Sequence, residues 1–257
     1  MRFLKLIVLL LLCLSYTQAL PAEEKKCPLT PTQTKIFSSE KRNVVDYYRA
    51  LVACQLVSDY YDLHYIDDRW TNGEAGDLYS VVVDIDHGFI QFDEESGDAY
   101  ETSQIALFRD KNRDALIAYY DELRVGAYFG YKYADLSFYR FDQTNRQIVN
   151  VTEEVLPQIT LSDFGISDIE YKNLKNIKQE LFSSAIENTI LFSYKLPRYG
   201  TSVQAILVVN KSQLDHYRQY ITDHSDLEIL DHYYNQISKE TIELKWDKAK
   251  SRFVREQ

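Results

Sequence analysis

The residue types that most often carry chemistry are sparse in this chain, with five histidines and three cysteines in 257 residues. His216, His224 and His232 are evenly spaced and interleaved with Asp215, Asp223, Asp226 and Asp231. Imidazoles and carboxylates together would suit zinc if they converged on one point. The spacing argues against convergence. Ser225-Asp226-Leu227-Glu228 has the form of a helix capping box, which spreads the histidines over two helices and their connection. His232 also lies off the apolar stripe set by Leu230 and Tyr234. They read as solvated surface side chains.

Asp84, Asp86, Gly88 and Glu95 put acids at the first, third and twelfth positions of a calcium loop. The glycine falls one position early, the fifth position lacks a side-chain oxygen, and 89–92 has the pattern of a strand, so a hairpin is expected instead. Gly-x-Ser-x-Gly, His-Glu-x-x-His and Gly-rich phosphate loops do not occur. Acid pairs such as Asp67-Asp68 and Glu94-Glu95 could serve a glycosidase in principle. Neighbours on a strand point to opposite faces, however, and an acidic surface produces such pairs anyway. No metal site and no cofactor are expected.

The aromatics are the more informative group. Tyrosine occurs 21 times. In 125–133 a period of two puts Phe129, Tyr131 and Tyr133 on one face, and Gly126, Tyr128, Gly130 and Lys132 on the other. The glycines leave room for a ring or backbone to approach. Exposed tyrosine offers rigid, amphipathic contact area at low entropic cost, which suits glycan or protein recognition. Tyr128, Phe129, Tyr131 and Tyr133 are therefore the candidate binding residues. The alternative is that these rings fill the core and edge of a tyrosine-rich sheet.

The elements that must position these residues follow a leader. Arg2 and Lys5 precede an apolar run over 6–14, and Thr17-Gln18-Ala19 supplies small residues for cleavage. Residues 1–19 read as a secretory signal. The run is shorter than the roughly 20 residues that span a bilayer, so no stable membrane insertion is expected after cleavage. A formal charge of −10 becomes more negative once Arg2 and Lys5 are removed, which disfavours nucleic acid and anionic lipid. Cys27 and Cys54 remain, and an oxidising compartment favours their pairing as a staple between the N-terminal tail and the first helix. Asn150-Val151-Thr152 and Asn210-Lys211-Ser212 are glycosylation sequons.

Residues 20–38 read as an extended tail. Over 39–61, Val44, Tyr48, Leu51, Val52 and Leu56 form the stripe of an amphipathic helix. Alternating segments at 78–85, 89–92, 102–109, 115–120, 125–133, 136–141 and 147–151, separated by polar turns, predict an antiparallel meander. Pro157 stops a short helical turn begun at Thr152. The second half predicts a helix carrying Leu174, Ile177, Leu181 and Ala185, and strands at 189–196 and 201–209. A helix carrying Leu214, Tyr217 and Ile221 follows, then one carrying Leu230, Tyr234 and Ile237, then a hairpin at 241–246 and 252–255. Phe141-Asp142 followed by Ile148 matches Trp246-Asp247 followed by Phe253: an aromatic closes a strand, an Asp starts the turn, and a strand returns in fixed register.

The expected fold is α+β, with antiparallel sheets and helices packed on one face, in two sequential β-rich subdomains over 39–157 and 158–257. The expected function is a secreted or periplasmic, non-catalytic binding protein for a protein or glycan ligand. The alternative is an extracytoplasmic hydrolase acting on polysaccharide or peptide.

Overall fold

The computed structural model describes residues 27–31, 34, 42–57, 62–66, 68–71, 79–112, 114–125, 131–167, 169, 190–209, 224, 227–228, 231 and 241–255. The signal over 1–19 and the expected helices around 174–185 and 214–221 lie outside them. So do Asn210 and most of the expected helix around 230–237.

The alternating segments form one long meander. Strands β4 (Tyr79–Asp84), β5 (Phe89–Ser96), β6 (Ala99–Arg109), β7 (Ala115–Val125), β8 (Tyr131–Asp142) and β9 (Gln147–Asn150) pair antiparallel in sequence order. Strand β1 (Cys27–Pro28) adds to the outer edge of β9, completing a seven-stranded sheet. Strands β2 (His64–Ile66) and β3 (Arg69–Thr71) make a small separate hairpin. A four-stranded antiparallel sheet holds β10 (Ile190–Lys195), β11 (Ser202–Val209), β12 (Thr241–Asp247) and β13 (Arg252–Arg255).

The expected α+β class is overturned. Among the described residues there are thirteen strands against two α-helices, α1 (Val44–Ala53) and the four-residue α2 (Thr152–Val155), with a 3-10 turn at Leu161–Phe164. The protein is β-rich, and its principal core is sheet on sheet. Phe108, Ala118, Tyr120, Leu136 and Phe138 of the large sheet pack with Val203, Ala205, Leu207, Leu244, Trp246 and Phe253 of the small one. The Phe253 ring lies 4.9 Å from Phe108 and 5.1 Å from both Phe138 and Trp246. The opposite face of the large sheet carries α1, whose Val44, Tyr47, Tyr48 and Leu51 pack on Ile90, Phe92, Ile105, Ile117 and Ile148. Strand β7 is therefore buried on both faces, which is why 115–120 is almost uniformly apolar.

Helix α1 starts where its cap does. Asn43 accepts from the Val45 amide at 2.9 Å, and Asp46 accepts from the Asn43 amide at 2.9 Å. It ends at Cys54, followed by Gln55 at φ +54°. Cys27 and Cys54 form a disulfide with Cα atoms 5.6 Å apart, tying edge strand β1 to the end of α1.

The two matched hairpins share one geometry. Phe141 faces Ile148 and Trp246 faces Phe253. Asp142 accepts from the amides of Thr144 and Asn145, and Asp247 from those of Ala249 and Lys250. Arg146 and Ser251, one residue before each return strand, both take positive φ. A third hairpin follows the same rule: Asp84 accepts from the His87 amide, and Gly88 has φ +69° just before Phe89. The sequon at Asn150 is folded into a local turn, its side chain accepting from the Thr152 amide at 2.9 Å.

Candidate functional site: a cationic cleft at the hairpin end

Because the meander reverses at each turn, the connections after β4, β6 and β8 lie at one end of the large sheet, and the 97–98 turn, the end of β7 and the start of β8 at the other. The loop at 196–201 and the turn at 248–251 of the small sheet share the first end. Three hydrogen bonds fix it. Trp246 Nε1 donates to the Arg109 carbonyl at 2.9 Å, the Lys111 amide to the Lys248 carbonyl at 3.3 Å, and the Leu107 amide to the Gly88 carbonyl at 3.0 Å. Asp84 adds a latch between the sheets. Its carboxylate takes the Arg198 guanidinium at 2.8 Å and the His87 ring at 2.9 Å, while His87 meets the Tyr199 ring edge-on at 4.8 Å. The Arg198 hydrogen bond is the main reason its carboxyl titrates at about 2.

The 85–88 turn, the end of β6, Thr201, Lys248 and the start of α1 line a cleft of about 500 Å³. Arg42, Arg109 and Lys248 line it together with His87, Thr201 and Ile85, and among the described residues Asp86 is the acid in its wall. Arg42 lies 5.7 Å from the centre of the Tyr47 ring. Burial pushes the Tyr47 hydroxyl up, and the guanidinium groups of Arg42 and Arg109 pull in the opposite direction. Both guanidinium groups therefore come close to the same phenol.

Of the sequence-derived binding residues, Tyr131 and Tyr133 lie at the other end. Tyr128 and Phe129 fall outside the described residues. Tyr131 opens β8 opposite Arg124, and Tyr133 stands opposite Leu123, with a register shift between these pairs that interrupts strict alternation. Tyr133 is half-buried, and its hydroxyl donates to Asp121 at 3.0 Å and Glu101 at 3.1 Å. Burial, then the Asp121 carboxylate, raises its pKa well above the usual phenol range.

Sequence reasoning did not single out a second polar group. Glu122, buried between the sheets, accepts from Tyr120, from Arg124 and, at 2.7 Å, from Ser193 of β10. Asp121 points to the helix side, where Ser103 donates to it at 3.0 Å. His224 is exposed beside Glu228, while His216 and His232 fall outside the described residues. Among the described residues, no three His, Cys, Asp or Glu gather to hold a metal ion.

Arg42, Arg109 and Lys248 were also missed. They are far apart in sequence, but two of them adjoin turn-starting aspartates, Asp110 and Asp247. That adjacency is the signal that could have placed Arg109 and Lys248 at the same end of a meander.

No protein-family model matches the chain, and no curated protein matches it. Among solved structures, a domain of an uncharacterized protein from Porphyromonas gingivalis W83 is similar over 72% of this chain and 83% of that chain. The identity is 12% and the TM-score 0.40, values at which the likeness carries no argument.

Proposed function

We propose that the protein is a secreted or periplasmic, non-catalytic binding protein that takes its ligand in the hairpin-end cleft. The observation that carries this reading is the cleft itself, assembled from turns of both sheets and held by the backbone bonds around Arg109 and Lys248. Loops fixed on a rigid scaffold are common binding surfaces. The Cys27–Cys54 bridge fits an oxidising compartment. Among the described residues no helix is long and apolar enough to cross a membrane.

Two features speak for binding over hydrolysis. The buried acids Asp121 and Glu122 point to opposite faces of β7 and cannot flank one scissile bond. Each is also held in its own hydrogen-bond group. The test is to present glycan and peptide arrays to the wild-type protein and to Thr201→Trp, which fills the cleft. The expected result is a ligand retained by wild type and lost by the variant, with circular dichroism unchanged. Turnover in a glycosidase and peptidase panel, abolished by one acid-to-amide change, would overturn the reading.

A further inference from the structure

We infer that His87 contacts the ligand of the cleft through the lone pair of Nε2, and that what it meets is a hydroxyl group of a saccharide; this rests on the binding reading above. The tautomer of the imidazole is set by Asp84. Asp84 Oδ1 lies 2.9 Å from His87 Nδ1. The carboxyl titrates at about 2, so at neutral pH it is ionised and can only accept. Nδ1 therefore carries the hydrogen. In the neutral ring Nε2 is then an acceptor, and among the described residues no group donates to it.

The contact to the ring is needed for neither of the other tasks of Asp84. Starting the hairpin takes the His87 amide on Oδ1, at 3.1 Å, and joining the sheets takes the Arg198 guanidinium on Oδ2, at 2.8 Å. What the bond to Nδ1 does is fix an imidazole that is about half exposed in the cleft wall. The small sheet holds the same ring from another side. Tyr199 meets it edge-on at 4.8 Å and also carries the Arg198 guanidinium, 5.3 Å from the phenol centre. A half-exposed side chain held by two neighbours loses little freedom when a ligand arrives, as a preorganised contact requires.

The rest of the wall selects the chemistry. Asp86, adjacent to His87, lines the cleft as a second acceptor, and acceptors on adjacent residues call for donors. The Thr201 hydroxyl both donates and accepts, while Arg42 and Lys248 only donate. A sugar hydroxyl donates and accepts through one oxygen, so neighbouring hydroxyls suit a wall on which acceptors and donors stand together. Ile85, 42% exposed, offers an apolar contact to the C–H face of a sugar ring. An extended peptide turns only every second N–H to one side, a poorer match for acceptors on adjacent residues.

Long-range proton–nitrogen correlation NMR of the full protein reads the tautomer directly. At a pH where imidazoles are neutral, His87 should show a protonated Nδ1 and an unprotonated Nε2, and Asp84→Asn should return it to a mixture. A protonated Nε2 in the wild type would overturn the inference. Titration with glucose, galactose, mannose and any glycan retained on the arrays should give saturable binding by at least one, the Nε2 resonance moving as the site fills. His87→Ala should weaken that binding about tenfold, the effect of losing one hydrogen bond of about 1.4 kcal/mol. His87→Gln, whose amide oxygen can accept in its place, should recover part of the loss. Lys250→Gln, outside the cleft, should leave binding unchanged. Saccharide binding that moves neither Nε2 nor the affinity of His87→Ala would overturn the inference. A peptide retained on the arrays and lost by Thr201→Trp, with no saccharide bound, would overturn the saccharide and leave the binding reading standing. Silence from every sugar and every peptide would overturn both.

Discussion

Asp84 shows how much one side chain does here. It starts a hairpin turn, carries the His87 ring and holds Arg198 across the gap between sheets. With its carboxyl at about 2, the stability it contributes is full above the ordinary carboxylate range near 4 and is lost as pH falls from there through about 2. Asp84→Asn should cost about 1 kcal/mol at neutral pH, the upper end for a pair with one exposed partner. In urea unfolding at a series of pH values, the gap from wild type should close between about pH 4 and 2. A gap that persists unchanged at pH 2 would show that the charge is not what matters. Gly88 is the second sensitive residue: it has φ +69°, and an added Cβ would lie 3.1 Å from the Leu107 Cβ. Gly88→Ala should therefore lower stability by about 1–2 kcal/mol in the same assay. At this scale the sequence was legible. An Asp followed five positions later by a return strand located the Asp142 and Asp247 turns, because the side-chain oxygen acts locally. The Asp84 turn was expected from its residues, but its kinship with the other two was missed: Gly88 takes the conformation that Arg146 and Ser251 adopt in those turns.

The elements were read less evenly. The positions of most strands follow from alternation, since period two is a local property. What covers each face is not local. The α+β expectation failed because helical stripes were taken as the partners of the sheet, while β10 to β13 cover the face that carries Tyr120 and Phe138. A signal was present: 115–120 is apolar at consecutive positions, which marks a strand covered on both sides. Two elements are joined through Glu122, whose bond from Ser193 links β7 to β10. Glu122→Leu should destabilise by about 2–3 kcal/mol by removing the buried acceptor shared by the Tyr120 and Ser193 hydroxyls, and Glu122→Gln by clearly less. Equal losses in denaturant unfolding would count against hydrogen bonding as the cause. The disulfide is a second link between elements. Cys27→Ser should cost about 3 kcal/mol, the loop-closure contribution of a span this long, and reductant should lower wild type towards the variant. The staple was legible because the two cysteines left after the expected leader have one way to pair.

For the whole molecule, function depends on which turns share an end. Three cations from the start of α1, the end of β6 and the turn after β12 meet in one cleft. The sequence scatters them, and only the meander's reversals and the stacking of two sheets bring them together. The tyrosines of 125–133 drew attention because they are adjacent in sequence, and the structure places Tyr131 and Tyr133 at the opposite end from the cleft. Two ends thus compete as the binding surface, and the formed cleft favours the hairpin end. The most direct measurement is a crystal structure of the protein bound to a ligand selected on the arrays. The account predicts that ligand in the hairpin-end cleft, against Arg42, Thr201 and Lys248. A ligand seated instead at the end carrying Tyr131 and Tyr133, with the cleft empty, would contradict it.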